Sequence, residues 1–123
     1  MRQDLNAKVN LFLQCLETCD FSRARALCTD RATVWQNDGN GAQGIGESLE
    51  QFKVFAADVK SLQYDVIRRF HSSNEVFQQH VLHLNMVGGS FEEVHAVVYF
   101  RFEDDLIERI EECIYTMPKA KAP

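Results

Sequence analysis

The hydrophobic period of this chain changes once, near Leu62, and no other feature constrains the fold as strongly. Before that point apolar residues recur every three or four positions. Leu5, Val9, Phe12, Leu16 and Cys19 fall on one helical face, with Asp4 or Asn6 placed to cap the first turn. An amphipathic helix is expected over residues 5–19. Asp20 caps a shorter helix in which Phe21, Ala24, Leu27 and Cys28 share a face, until Thr29 and Asp30 break the pattern. Ala32 to Gln36 is β-branched and aromatic, the signature of a short strand. It runs into NDGNGAQGIG, which holds four of the six glycines and reads as a loop. A third helix is expected over residues 47–59, with Leu49, Phe52, Phe55, Ala56 and Val59 on its apolar face.

From Leu62 onward the period is 2, that of a strand with one buried face. Four strands are expected, Leu62 to His71, Val76 to Val87, Phe91 to Phe102 and Ile107 to Tyr115. The turns between them are too short for anything but antiparallel neighbours. In Phe91 to Phe102 the set Val94, Ala96, Val98, Phe100 and Phe102 faces a core, and Glu93, His95, Tyr99 and Arg101 face outward. The order is α-α-β-α-β-β-β-β, an α+β fold. Its strands should form one strongly bent antiparallel sheet, with the helix of residues 47–59 covering the concave side. At 123 residues the chain has room for one domain, placed at residues 1–117 with a frayed tail at 118–123.

Charge and cysteine content remove several function classes. Thirteen Lys and Arg are dispersed against eighteen Asp and Glu, a net charge of −5, so a surface that tracks nucleic-acid phosphates is not expected. The longest apolar run in the strand region, Ala96 to Phe100, is far short of the ~20 residues a membrane span needs. A soluble, cytoplasmic protein is expected. Cys15, Cys19, Cys28 and Cys113 show neither C-x-x-C spacing nor a secreted disulfide framework, and they read as small thiols in a reducing compartment. No metal and no cofactor is expected. Gly39 to Gly44 spells G-x-G-x-x-G, but no parallel βαβ unit with an acidic residue at the end of its second strand surrounds it. Arg68-Arg69 reads as a solvated edge, because neighbouring strand residues face opposite sides.

Polar residues on faces that otherwise look like core carry the functional interest. In Glu75 to Met86 the sets Val76, Gln78, His80, Leu82 and Phe77, Gln79, Val81, His83 are both mixed, so alternation alone leaves the inward set open. In the last strand Glu112 shares a face with Ile110 and Ile114. If those isoleucines are buried the carboxylate points inward, where it needs a partner or a raised pKa; otherwise it reaches water at the rim.

The stretches VNLFLQCLETCDFSRARALCTDRATVWQ and YFRFEDDLIERIEECI resemble the helix pair with its D-x-A-x-V strand, and the closing hairpin, of the nuclear-transport-factor-two-like superfamily. That superfamily includes ketosteroid isomerase, SnoaL-type polyketide cyclases and limonene epoxide hydrolase. The resemblance covers nearly the whole chain and implies a cone-shaped sheet whose helices enclose a deep apolar pocket. It places the isomerase's oxyanion-holding tyrosine at Phe12, its aspartate base at Gln36 and its second acid at Val98, so all three roles are empty here. The same register sets Gln78, His80 and Leu82 on the pocket side and favours Glu112 over Glu111. The implied pocket is bordered by Phe12, Gln36, Phe52, Phe55, Gln78 and Val98, with His80 and Glu112 as its acid–base candidates. Three functions are compatible with that site: a SnoaL-like isomerase, cyclase or hydrolase acting on a small hydrophobic molecule, a non-catalytic binder of such a molecule, or a dimerisation module. A homodimer through the outer sheet face, where His95, Tyr99 and Arg101 lie, is expected by the same resemblance.

Overall fold

The computed structural model describes residues 4–118. The frayed tail expected at 118–123 lies, apart from Pro118, outside the described residues. Three helices, α1 (Leu5–Glu17), α2 (Phe21–Ala26) and α3 (Ile45–Ala56), accompany six strands. These are β1 (Cys28–Gln36), β2 (Ala42–Gly44), β3 (Val59–His71), β4 (Glu75–Met86), β5 (Phe91–Glu103) and β6 (Leu106–Tyr115). Asp4 and Asp20 are the N-caps of α1 and α2, accepting from the N–H groups of Ala7 at 3.1 Å and Arg23 at 3.2 Å. Each such cap contributes about 1 kcal/mol.

Several boundaries differ from expectation. Helix α2 stops at Ala26 and Cys28 opens β1, because Cys28 lies four residues from Ala24 yet is also in phase with Ala32 and Val34, the buried residues of the strand. Val59 is likewise three residues from Ala56 but belongs to β3. The glycine-rich stretch is not all loop. Gly39 and Gly41 take positive φ, and the chain they turn then pairs as β2 against β1 before α3 begins at Ile45.

The strand order is β2-β1-β6-β5-β4-β3. Strands β3 to β6 pair antiparallel as their turns require, but β1 lies parallel to β6, so the sheet is mixed. Short turns dictate the direction of consecutive strands only, and β1 and β6 are far apart in sequence. The sheet is curved and does not close, since β2 and β3 are free edges, and its strands bend at bulges in β1, β3 and the β5–β6 pair.

Helices cover one face of the sheet. α1 packs on β3 and β4, and α3 packs on β1, β2 and β3, so the cover is shared between them and does not fall to the third helix alone. Val9, Phe12, Leu13 and Leu16 of α1 meet Val76, Ala96, Val98, Phe100 and Phe102 in the main core. A smaller cluster of Leu62, Leu82 and Leu84 packs with Phe52, Val59 and Tyr64. On β4 the inward set is Val76, Gln78, His80, Leu82 and Leu84.

Candidate functional site

A cavity of about 330 Å³ opens between the helices and the concave face. Its wall is mainly apolar, with Phe12, Phe52, Phe55, Val98 and Phe100 prominent, and Gln36, Ser48, Gln51, Tyr64, His80 and Glu112 supply its polar side chains. Phe55 is 40% exposed and Ile114 is 43% exposed, which puts both at the mouth.

The parallel register of β1 and β6 sets Gln36 opposite Glu112, and Gln36 Nε2 donates to Glu112 Oε1 at 2.6 Å. Burial pushes the Glu112 carboxyl above its ordinary value, while the bond from Gln36 works against that rise. The isoleucine flanking Glu112 on the inner side, Ile110, is buried, and the carboxylate follows it inward.

His80 is only 3% exposed. Burial, with the Arg69 charge adding to it, pulls the imidazole down to about 4, so the ring is neutral at pH 7 and does not titrate near its reference value. Its Nδ1 lies 2.9 Å from Gln78 Nε2. Gln78, which the resemblance sets on the pocket side, does not line the cavity. The residue is completely buried behind His80, where its Oε1 accepts from Arg69 Nε at 2.9 Å and Nη2 at 2.7 Å.

Alternation singled out neither Tyr64, which lines the cavity, nor Arg69, which bonds to Gln78 behind its wall. Arg69 is not a solvated edge, because β3 carries a bulge between Val66 and Arg68 that leaves Ile67 unpaired. One extra residue reverses the faces beyond it, so Arg69 turns inward opposite Gln78 while Ile67 and Phe70 are exposed. Tyr64 follows Leu62 in the inward series, which is the signal that could have found it. Its ring meets that of His80 edge-on at 5.0 Å, and its backbone N–H donates to Glu17 Oε2 at 2.8 Å across the open strand edge. Burial raises the Tyr64 phenol well above its ordinary value, with the charges of Glu112 and Glu17 adding to the rise, so it stays protonated and able to donate.

Phe12, Gln36, Phe52, Phe55, His80, Val98 and Glu112 thus stand on one cavity, with Tyr64 added and Gln78 behind the wall. Among the described residues no group of three or more His, Cys, Asp or Glu converges as a metal site would require. None of the described helices is long and apolar enough to cross a membrane.

A mixed curved sheet with helices over an apolar cavity defines a cone-shaped pocket protein. The model of the SnoaL-like domain family matches residues 9–110, and the chain belongs to that family. No curated protein matches it significantly. Among solved structures, AusH from Aspergillus nidulans superposes with a TM-score of 0.82 at 12% identity, covering 98% of this chain and 89% of that one. A SnoaL-like polyketide cyclase from Agrobacterium tumefaciens gives 0.75 at 16% identity over 92% of each chain. An LEH-like epoxide hydrolase from M. tuberculosis gives 0.73 at 17% identity, covering 89% of this chain and 80% of that one. At these identities the likeness is one of fold.

Proposed function

We propose that the chain binds a small, uncharged, largely apolar molecule bearing an oxygen acceptor, and that Glu112 exchanges a proton with it. The observation that carries this reading is a carboxylate set in an apolar cavity, held by one amide and neighboured by two protonated or neutral ring groups, Tyr64 and His80. Such a carboxylate is a stronger base than one in water and has little else to serve in a packed wall. Tyr64 and His80 are the hydrogen-bonding partners for the ligand oxygen. The chemistry is that of an isomerase, cyclase or hydrolase without the three roles empty at Phe12, Gln36 and Val98. A passive binder using the same cavity is the second reading, and an open cavity of about 330 Å³ favours both over a module whose pocket is only vestigial.

Two further expectations belong here. The exposed ring pair Phe70 and Phe77, in register with Tyr99 on the outer face, supports a homodimer through that face. Four unpaired thiols fit a reducing, cytoplasmic setting.

The test uses a panel of uncharged one- and two-ring ketones in heavy water, with deuterium uptake beside the carbonyl followed by NMR. Wild-type protein should catalyse uptake for at least one member and Glu112→Gln should not. Binding without uptake in either protein would leave the passive binder, and no binding across the panel would sink the reading.

A further inference from the structure

Arg69, Gln78 and His80 form a series that runs from the edge strand to the cavity wall, and every link in it has a direction. A guanidinium can only donate, so the two bonds from Arg69 at 2.9 and 2.7 Å commit Gln78 Oε1 as their acceptor. That fixes which way the amide lies. Its nitrogen then faces His80 Nδ1 at 2.9 Å, and an amide nitrogen can only donate. Nδ1 must therefore be the bare, accepting nitrogen, and the proton of the neutral ring sits on Nε2. Turning the amide over would face its NH₂ group to the guanidinium and its oxygen to Nδ1, losing two charge-assisted bonds where Gln78 is 0% exposed and water cannot substitute.

We propose that Arg69 and Gln78 are positioning residues that lock His80 in the Nε2–H tautomer, so that the imidazole presents the cavity with a donor and never an acceptor. Nε2 has no hydrogen-bond partner among the described residues, and it is not one of their sealed, unpartnered polar atoms, so it is open to whatever the cavity holds. The low basicity of the ring, set by burial and by the Arg69 charge, keeps it neutral in the same state. The consequence for ligand choice rests on the acid–base reading above: a molecule meeting His80 must offer a carbonyl, ether or similar oxygen, and one that offers only an N–H is refused. The tautomer itself does not rest on that reading.

Long-range proton–nitrogen correlation NMR of the ligand-free, ¹⁵N-labelled protein at pH 7 tests the proposal, with the His80 ring assigned through bonds from its backbone. Wild type should show Nδ1 at the position of a bare ring nitrogen and Nε2 at that of a protonated one. The opposite pattern, or averaged signals, would overturn it. Gln78→Glu replaces the donor by an acceptor, so the proton should move to Nδ1; an unchanged Nε2–H tautomer would refute the role of Gln78. Arg69→Met frees the amide to turn, so both tautomers should be populated, and a single Nε2–H form would remove Arg69 from the device. Should either variant fail to fold, the wild-type spectrum still decides the tautomer. Inactivity toward every ketone beside a clean Nε2–H spectrum would sink the acid–base reading and leave this one standing.

Discussion

His80 couples stability to pH with a sign and size that follow from its burial. In the unfolded chain a histidine titrates near ~6.5. In the folded protein the ring is pulled down to about 4, because burial penalises the cation and Arg69 repels it. A histidine whose folded value is depressed gives stability that is complete above the unfolded value and is lost as pH falls toward the folded one. Between the two values the unfolded state binds the proton and the folded state does not. At ~1.4 kcal/mol for each pH step of one, the gap amounts to about 3 kcal/mol by pH 4. Urea denaturation at pH 7 and at pH 4, on wild type and on His80→Gln, isolates this contribution, since every other titrating group is shared and the glutamine has no charge to gain. Wild type should lose about 3 kcal/mol more than the variant over that interval. Parallel losses in the two proteins would show that His80 takes up its proton equally well in the folded state, and the argument from burial would fail.

Glu112 runs the other way. Its folded value is raised, so the folded protein holds the proton longer, and stability is lost as pH rises through that value; Glu112→Gln should be more stable than wild type at pH 8 and no different at pH 3 by the same urea measurement. Phe12→Ala removes a buried ring that packs edge-on against Phe100 at 6.3 Å, and should cost about 3 kcal/mol of unfolding free energy by urea denaturation while enlarging the cavity. Phe77→Asp on the outer face should convert the proposed homodimer to a monomer in sedimentation equilibrium while leaving the far-UV circular dichroism unchanged. Wild type sedimenting as a monomer at micromolar concentration would remove the dimer.

The fold was legible where one period dominated a segment. The α1 face and the β5 alternation were both carried by bulky residues, and short turns left β3 to β6 only one way to pair, whereas the mixed faces of β4 left its inward set open. Boundaries were lost where two periods agree, since Cys28 and Val59 satisfy a helix and a strand equally well. The β1–β6 pairing was not legible at all. It joins segments separated by most of the chain, and nothing local to either strand states its partner or its direction.

That pairing is what makes Gln36 intelligible. By resemblance its place belongs to a base, and an amide there looks like an absence, because the amide cannot accept a proton at neutral pH. Once β6 lies beside β1 in parallel register, the same position faces Glu112, and an amide is the group that can donate to a carboxylate while leaving its second oxygen free. On the reading proposed above, the base stands one strand away and the position the resemblance assigns to a base holds it by an amide. Tyr64 repeats the pattern, bringing to β3 the hydroxyl that Phe12 lacks on α1. Inward positions on neighbouring strands of a curved sheet all reach one cavity, so a donor or a base can be supplied from several of them. A motif read position by position registers only the vacancy.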